Sequence, residues 1–235
     1  MSDAEARTWG PLTPRERRVV GVLIEKQKTT PDNYPMTVAA LVAGCNQKSN
    51  RDPVTNYDAD DVEETLQELR YKGAVVRYEG TGRVERWKHL MYDWLHLRDK
   101  PVEMAVIAEL LLRGPQTEGD LRARASRMAP LPDLAALHEV LEALKARGLV
   151  VFLTPPGRRR GVVVTHNLYP PEELERVRQS FASLADEGDD EAARPARTAA
   201  RDEELERLRD ELAVLRATVE RLADEVAALK SALGA

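Results

Sequence analysis

Residues 62–76 and 137–151 align without a gap, and this internal match restricts the fold more than any other feature of the chain. The first copy reads Val62-Glu63-Glu64-Thr65-Leu66-Gln67-Glu68-Leu69-Arg70-Tyr71-Lys72-Gly73-Ala74-Val75-Val76, the second Leu137 to Val151. Six positions are identical: Glu64/Glu139, Leu66/Leu141, Leu69/Leu144, Gly73/Gly148, Val75/Val150 and Val76/Val151. In both copies apolar residues fall at helical spacing, a glycine stops the helix, and a β-branched run follows. A helix running straight into a strand is thus used twice.

The elements before each copy also recur. Thr13-Pro14-Arg15-Glu16 is a capping box with proline at the first helical position, followed by a stripe of Val19, Val20, Leu23 and Ile24. Pro101 to Leu112 repeats it, with Glu103, Val106 and Leu110 matching Glu16, Val19 and Leu23. A second helix opens at Thr37 and stops at Gly44, and Thr117 and Leu121 repeat Thr37 and Leu41. After the third helix, Ala74 to Tyr78, the turn Gly80-Thr81-Gly82-Arg83 and Val84 to Leu90 predict a hairpin. Helix, helix, helix, hairpin is the order of a winged helix-turn-helix. The expected fold class is therefore mainly α with small β-hairpins (α+β): two tandem winged helix-turn-helix domains plus a C-terminal coiled coil. The first domain is expected at 11–98 and the second at 99–168.

A more specific likeness lies in particular strings of residues. Glu25-Lys26-Gln27, Thr29-Thr30-Pro31, Tyr34-Pro35, Cys45-Asn46-Gln47-Lys48 and Asn50-Arg51-Asp52-Pro53-Val54 resemble the YceH-like family of uncharacterised bacterial proteins. Leu110 to Thr117 and Leu121-Arg122-Ala123-Arg124 add to the match. The resemblance covers roughly residues 11–168. It implies a tandem winged-helix fold related to bacterial regulators, and no catalytic residues.

Catalysis finds no foothold in the residues. There is no Gly-rich phosphate loop, nucleophile elbow or zinc motif. His89, His96, His138 and His166 lack the i, i+4 pairing that presents two ligands on one helix face, and polar contacts at a domain junction account for His89 and His96, which share a segment with Asp93, more simply. Cys45 is the only cysteine, which excludes an intrachain disulfide or a thiolate cage. The chain is read as a non-enzyme with no cofactor and no metal. An acidic N-terminus without an apolar run, and no apolar segment near the span of a bilayer, point to a cytoplasmic protein without membrane contact.

Charge bears on the partner. Residues 11–168 carry 24 Lys and Arg against 21 Asp and Glu, whereas 169–235 carry 10 against 17, so the acidity lies in the tail. Aromatics make up 5% of the chain, too few for a base-stacking platform. In the first unit, Asp58, Asp60, Asp61, Glu63, Glu64 and Glu68 make the third helix repellent to phosphates. The loop before it offers Lys48 and Arg51, either as phosphate contacts or within a polar turn bonding its own backbone. The second unit places Arg122, Arg124 and Arg127 on its second helix and Arg158, Arg159 and Arg160 at a wing tip. Such arginines suit phosphates and a narrow minor groove. The expected role is transcription-regulatory binding of double-stranded DNA, mainly through the second wing. The alternative is a protein-interaction scaffold whose acidic helix takes a basic protein partner.

The tail follows its own rule. An amphipathic helix is expected at 169–185, with Leu174, Val177, Phe181 and Leu184 on one side. An acidic, Ala-rich flexible linker broken by Pro195 fills 186–201. In 202–235, Leu205, Leu208, Leu212, Leu215, Val219, Leu222, Val226, Leu229 and Leu233 alternate spacings of three and four. Valine at a with leucine at d favours two strands. Parallel pairing sets Glu204, Glu211 and Glu225 against the other copy's Arg209, Arg216 and Lys230. The chain is therefore expected to form a parallel homodimer through 202–235.

Overall fold

The structure is a computed structural model and describes residues 9–78, 84–154 and 161–186. It is α+β, with helices outnumbering small antiparallel strands. The first half runs α1 (Pro14–Thr29), a 3-10 turn (Pro31–Asn33), α2 (Val38–Cys45), α3 (Ala59–Tyr71), β1 (Val75–Tyr78), β2 (Arg86–His89) and α4 (Met91–Trp94). The second runs α5 (Pro101–Arg113), β3 (Gln116–Thr117), α6 (Glu118–Ala125), α7 (Leu134–Ala146), β4 (Val150–Phe152) and β5 (Val163–His166). Helix α8 (Pro171–Asp186) follows. Among the described residues no helix is long and apolar enough to cross a membrane.

The helix starts follow from local chemistry. The Glu16 amide donates to Thr13 Oγ1 at 3.3 Å, and the Thr13 amide donates to the Glu16 carboxylate at 2.7 Å. Asp58 and Asp61 form the same reciprocal box at α3, and Asp133 caps α7. Thr37 and Thr117 cap α2 and α6, each accepting from the amide three residues on at 3.2 Å.

The repeat extends to individual hydrogen bonds. Gly73 and Gly148 close α3 and α7 with φ of 74° and 72°, a left-handed backbone that a side chain would strain. The next amides, of Ala74 and Leu149, donate back to Leu69 and Leu144, both at 2.9 Å. Val75 then faces His89 across the first hairpin, and Val150 faces His166 across the second. The second sheet has a third strand, with β3 beside β5. Its counterpart in the first half is a bridge from Met36 to Trp87. These third strands give no periodic signal in the sequence, being one or two residues long.

The two halves share one core. Residues Glu16 to Glu25 of α1 are all buried, as are Met104 to Leu112 of α5, and the two helices pack on each other. Close approach depends on Gly21: a Cβ there would lie 2.9 Å from Cγ and Cδ2 of Leu112. The apolar cluster runs without a break from Leu12 to Leu168.

Candidate interaction surfaces

The loop that connects α2 to α3 belongs to the interior. Arg51 is 4% exposed, and its guanidinium donates to Glu25 Oε1 at 3.2 Å, Glu25 Oε2 at 2.5 Å, Gln47 Oε1 at 2.7 Å and the Gly44 carbonyl at 2.9 Å. Glu25 also receives Arg127, which reaches Glu109 of α5 at 2.9 Å. Arg113 pairs with Glu109 at 3.2 Å and donates to Asn50 at 3.3 Å, while the Asp52 amide donates to the Leu112 carbonyl at 3.1 Å. Burial alone would push the Glu25 carboxyl up, but hydrogen bonds and charge from Arg51 and Arg127 outweigh it and hold it below the usual range. The loop is a staple between the halves.

That arrangement corrects two expectations. Arg51 has no donor left for a phosphate, because its buried side chain is consumed by Glu25, Gln47 and backbone carbonyls. Arg127 is not on the second helix, since α6 ends at Ala125, and it serves the same staple. Lys48, by contrast, is exposed. Arg122 and Arg124 stand half-exposed on α6, shared with their own surroundings. Arg122 donates to the Leu131 and Pro132 carbonyls at 3.3 Å, and Arg124 donates to Gln116 at 2.7 Å and lies 3.6 Å from Asp120. Arg158, Arg159 and Arg160 lie outside the described residues, in the connection between β4 and β5; so do the heptad residues from Leu205 to Leu233.

Helix α3 turns Val62, Thr65, Leu66 and Leu69 inward. Its other side exposes Asp60, Glu63, Glu64, Gln67 and Glu68. Arg15 touches one edge, 2.8 Å from Asp61 and 3.7 Å from Glu64. Lys72 is drawn away from that side to Glu16, at 2.7 Å. Tyr71 ends the acidic surface and is 93% exposed, the most exposed large apolar residue described. The outer side of α7 is mixed instead: Leu134 is 52% exposed, His138 approaches Glu118 at 3.4 Å, and Lys145 pairs with Glu142 at 3.2 Å.

The buried histidines serve the fold in matching ways. Nδ1 of His89 accepts from the Met91 amide, and Nδ1 of His166 accepts from the Leu168 amide, both at 3.2 Å. Each ring neighbours the tyrosine three residues on, with centroids 5.8 Å apart for Tyr92 and 3.9 Å for Tyr169. His-x-x-Tyr therefore ends both hairpins, a signal present in the sequence and missed there. Burial, with a smaller contribution from Lys28, pushes His89 down to about 4; burial and Arg17 hold His166 well below the ordinary range. Cys45 is fully buried and its thiol is pushed up to about 12 by burial, so it is protonated at neutral pH. Among the described residues no group of His, Cys, Asp and Glu is placed to hold a metal ion.

Comparison with known proteins places this double unit. The family model described as "Protein of unknown function, DUF480" matches residues 12–158. The chain belongs to the DUF480 family. Its relatives carry the name UPF0502 protein, and the YceH-like group is the same family. UPF0502 protein RB6530 of Rhodopirellula baltica is 44% identical over 206 residues, covering 85% of each chain. A UPF0502 protein of Pelobacter propionicus is 41% identical over 216 residues, covering 89% of this chain and 95% of its own. One from Geotalea daltonii is 50% identical over 151 residues, covering 63% and 68%. The DUF480 match contains the first half of the repeat, the second half as far as β4, and every residue of the buried staple.

Proposed function

We propose that this DUF480 member is a non-catalytic, cytoplasmic protein-docking module. It is built of two winged-helix units in tandem, held as a dimer by parallel pairing of residues 202–235. The order α1, Met36 bridge, α2, α3, β1, β2 and its repeat support the winged-helix reading. The heptads from Leu205 to Leu233 support the dimer. The observation that carries the docking role is the outer side of α3: Asp60, Glu63, Glu64 and Glu68 are exposed there, and Tyr71 stands free at its end. On a DNA-reading winged helix this surface would enter the major groove, where these acids would be driven off by phosphate. The same acids attract a Lys- and Arg-rich segment, and an exposed tyrosine ring adds a cation-π seat.

Fluorescence anisotropy with a labelled decalysine peptide tests this. Binding is expected to weaken when Asp60, Glu63, Glu64 and Glu68 become their amides, and to hold when the exposed acids Glu172 and Glu175 are changed instead. Equal loss per neutralised charge in both sets would reduce the attraction to net charge and remove α3 from the account.

One further observation favours a second reading, double-stranded DNA. Arg158, Arg159 and Arg160 occupy the connection between β4 and β5, with Lys48, Arg122 and Arg124 as the other candidate cations. Contacts of that kind would go to the phosphate backbone with little base readout.

A further inference from the structure

Helix α8 is fixed at one end. The Leu12 amide donates to the Leu168 carbonyl at 2.7 Å, and Tyr169 stacks on His166 while its hydroxyl meets Thr165 at 3.0 Å. Arg17 of α1 lies over the Tyr169 ring, 4.5 Å from its centroid, and pairs with Glu173 through both terminal nitrogens, at 2.9 and 2.5 Å. The first turn of α8 is thereby clamped to the start of α1. Beyond that turn, α8 makes no extensive contact with any other helix or strand among the described residues. Leu174, Val177 and Phe181 are only half-buried and stand outside the core.

We propose that this side of α8 pairs with α8 of a second copy of the chain, in parallel. The inference rests on the dimer reading above and extends it. Leu174, Val177, Phe181 and Leu184 follow spacings of three, four and three, the a and d pattern of a two-stranded coil. The flanking e and g positions between them hold Arg178 and Ser180, so no like charges of high density face each other across the seam. About three turns of such a stripe are too short to pair between free helices. They are enough when the chain downstream is already joined, because a short tether converts pairing into an intramolecular step at an effective concentration in the millimolar range. The residues after α8 carry those heptads, and both copies leave their bodies through this helix. Parallel pairing follows from the shared direction of exit. Since α8 is clamped to α1, its pairing orients the two bodies.

Disulfide trapping in the full chain tests this. Val177→Cys sits at a d position of the seam, and Gln179→Cys on the opposite, exposed side is its control. The native Cys45 does not interfere, being fully buried with its thiol pushed up to about 12. Under mild oxidation Val177→Cys is expected to give interchain dimers at least about tenfold faster than Gln179→Cys, since only seam positions bring two Cα atoms within disulfide reach. Sedimentation of the reduced chain supplies the second arm. A dimer in which the two cysteines cross-link equally, or not at all, overturns α8 pairing and leaves the heptad dimer standing. A monomer overturns both.

Discussion

Arg51 and Glu25 form a bidentate ion pair whose two side chains are 0% and 3% exposed, at 3.2 and 2.5 Å. A pair taken out of water contributes little net stability when complete, because desolvation offsets the Coulomb attraction. Removing Arg51 is different, for Glu25 stays behind in the interior with one oxygen unpaired and only Arg127 on the other. Arg51→Met is therefore expected to lower stability by about 3–5 kcal/mol. Lys48→Met, three residues earlier but exposed, should stay within about 0.5 kcal/mol of the parent. Urea titration of both variants would check it. A small loss at Arg51 would show that the staple is dispensable.

The same pair marks the limit of what the sequence conveys. The capping boxes at Thr13 and Asp58, the stops at Gly73 and Gly148 and the repeated helix-to-strand run are local patterns, and all are legible. Arg51 is not, because its surroundings, Asn46 to Asn50, have the composition of a solvated turn. Its partner Glu25 is 26 residues away, and Arg127 is 102 residues from Glu25. Nothing local signals such a meeting. The shared role of His89 and His166 was hidden for another reason: the second hairpin is two residues longer, so the gapless alignment ends before reaching them. The acidic side of α3 was legible residue by residue, whereas the exposure of Tyr71 depends on where the helix meets the body.

Stability should fall on mild acidification, and the histidines set the window. An imidazole in the unfolded chain takes up a proton near pH 6.5. In the fold His89 stays neutral down to about 4 and His166 also stays neutral well below 6.5. The unfolded state therefore binds more protons between these values. The stability that depends on neutral histidine is fully present above pH 6.5 and is lost as pH falls towards 4. The slope is about 1.4 kcal/mol per pH unit for each histidine. Urea midpoints at pH 7, 6 and 5 would trace it. Replacing both by Gln should lower stability at pH 7 yet flatten the dependence, and a slope that survives the double substitution would assign it to other groups.

Gly21 sets the distance between α1 and α5. Alanine there gains about 1 kcal/mol of helix propensity. Its Cβ, however, would sit 2.9 Å from two atoms of Leu112, which is itself fully buried. Overpacking of this kind costs about 1–3 kcal/mol, so Gly21→Ala is expected to be destabilising on balance. Thermal unfolding of Gly21→Ala, alone and with Leu112→Ala, decides the cause. Relief of the Gly21→Ala cost in the double variant supports the close contact, and simple additivity argues against it.

The DNA reading makes the sharpest contrast between the two halves. Arginines acting on phosphates release counterions, so affinity for random duplex DNA should fall as salt rises. Replacing Arg158, Arg159 and Arg160 together by Ala should weaken binding and flatten the logarithmic salt slope by about 0.9 per lost phosphate contact. Lys48→Ala should have a smaller effect of the same sign, being one exposed cation. Neutralising Asp60, Glu63, Glu64 and Glu68 should leave DNA binding unchanged or strengthen it, since these acids only repel phosphate, while the same substitution weakens decalysine binding. Only the decalysine probe thus loses affinity on this variant, which no general loss of folding imitates. If the parent and the triple-arginine variant bind duplex DNA equally at every salt concentration, the β4–β5 connection has no part in nucleic-acid contact. Docking of a basic partner on α3 then remains as the role that the exposed charge of this chain supports.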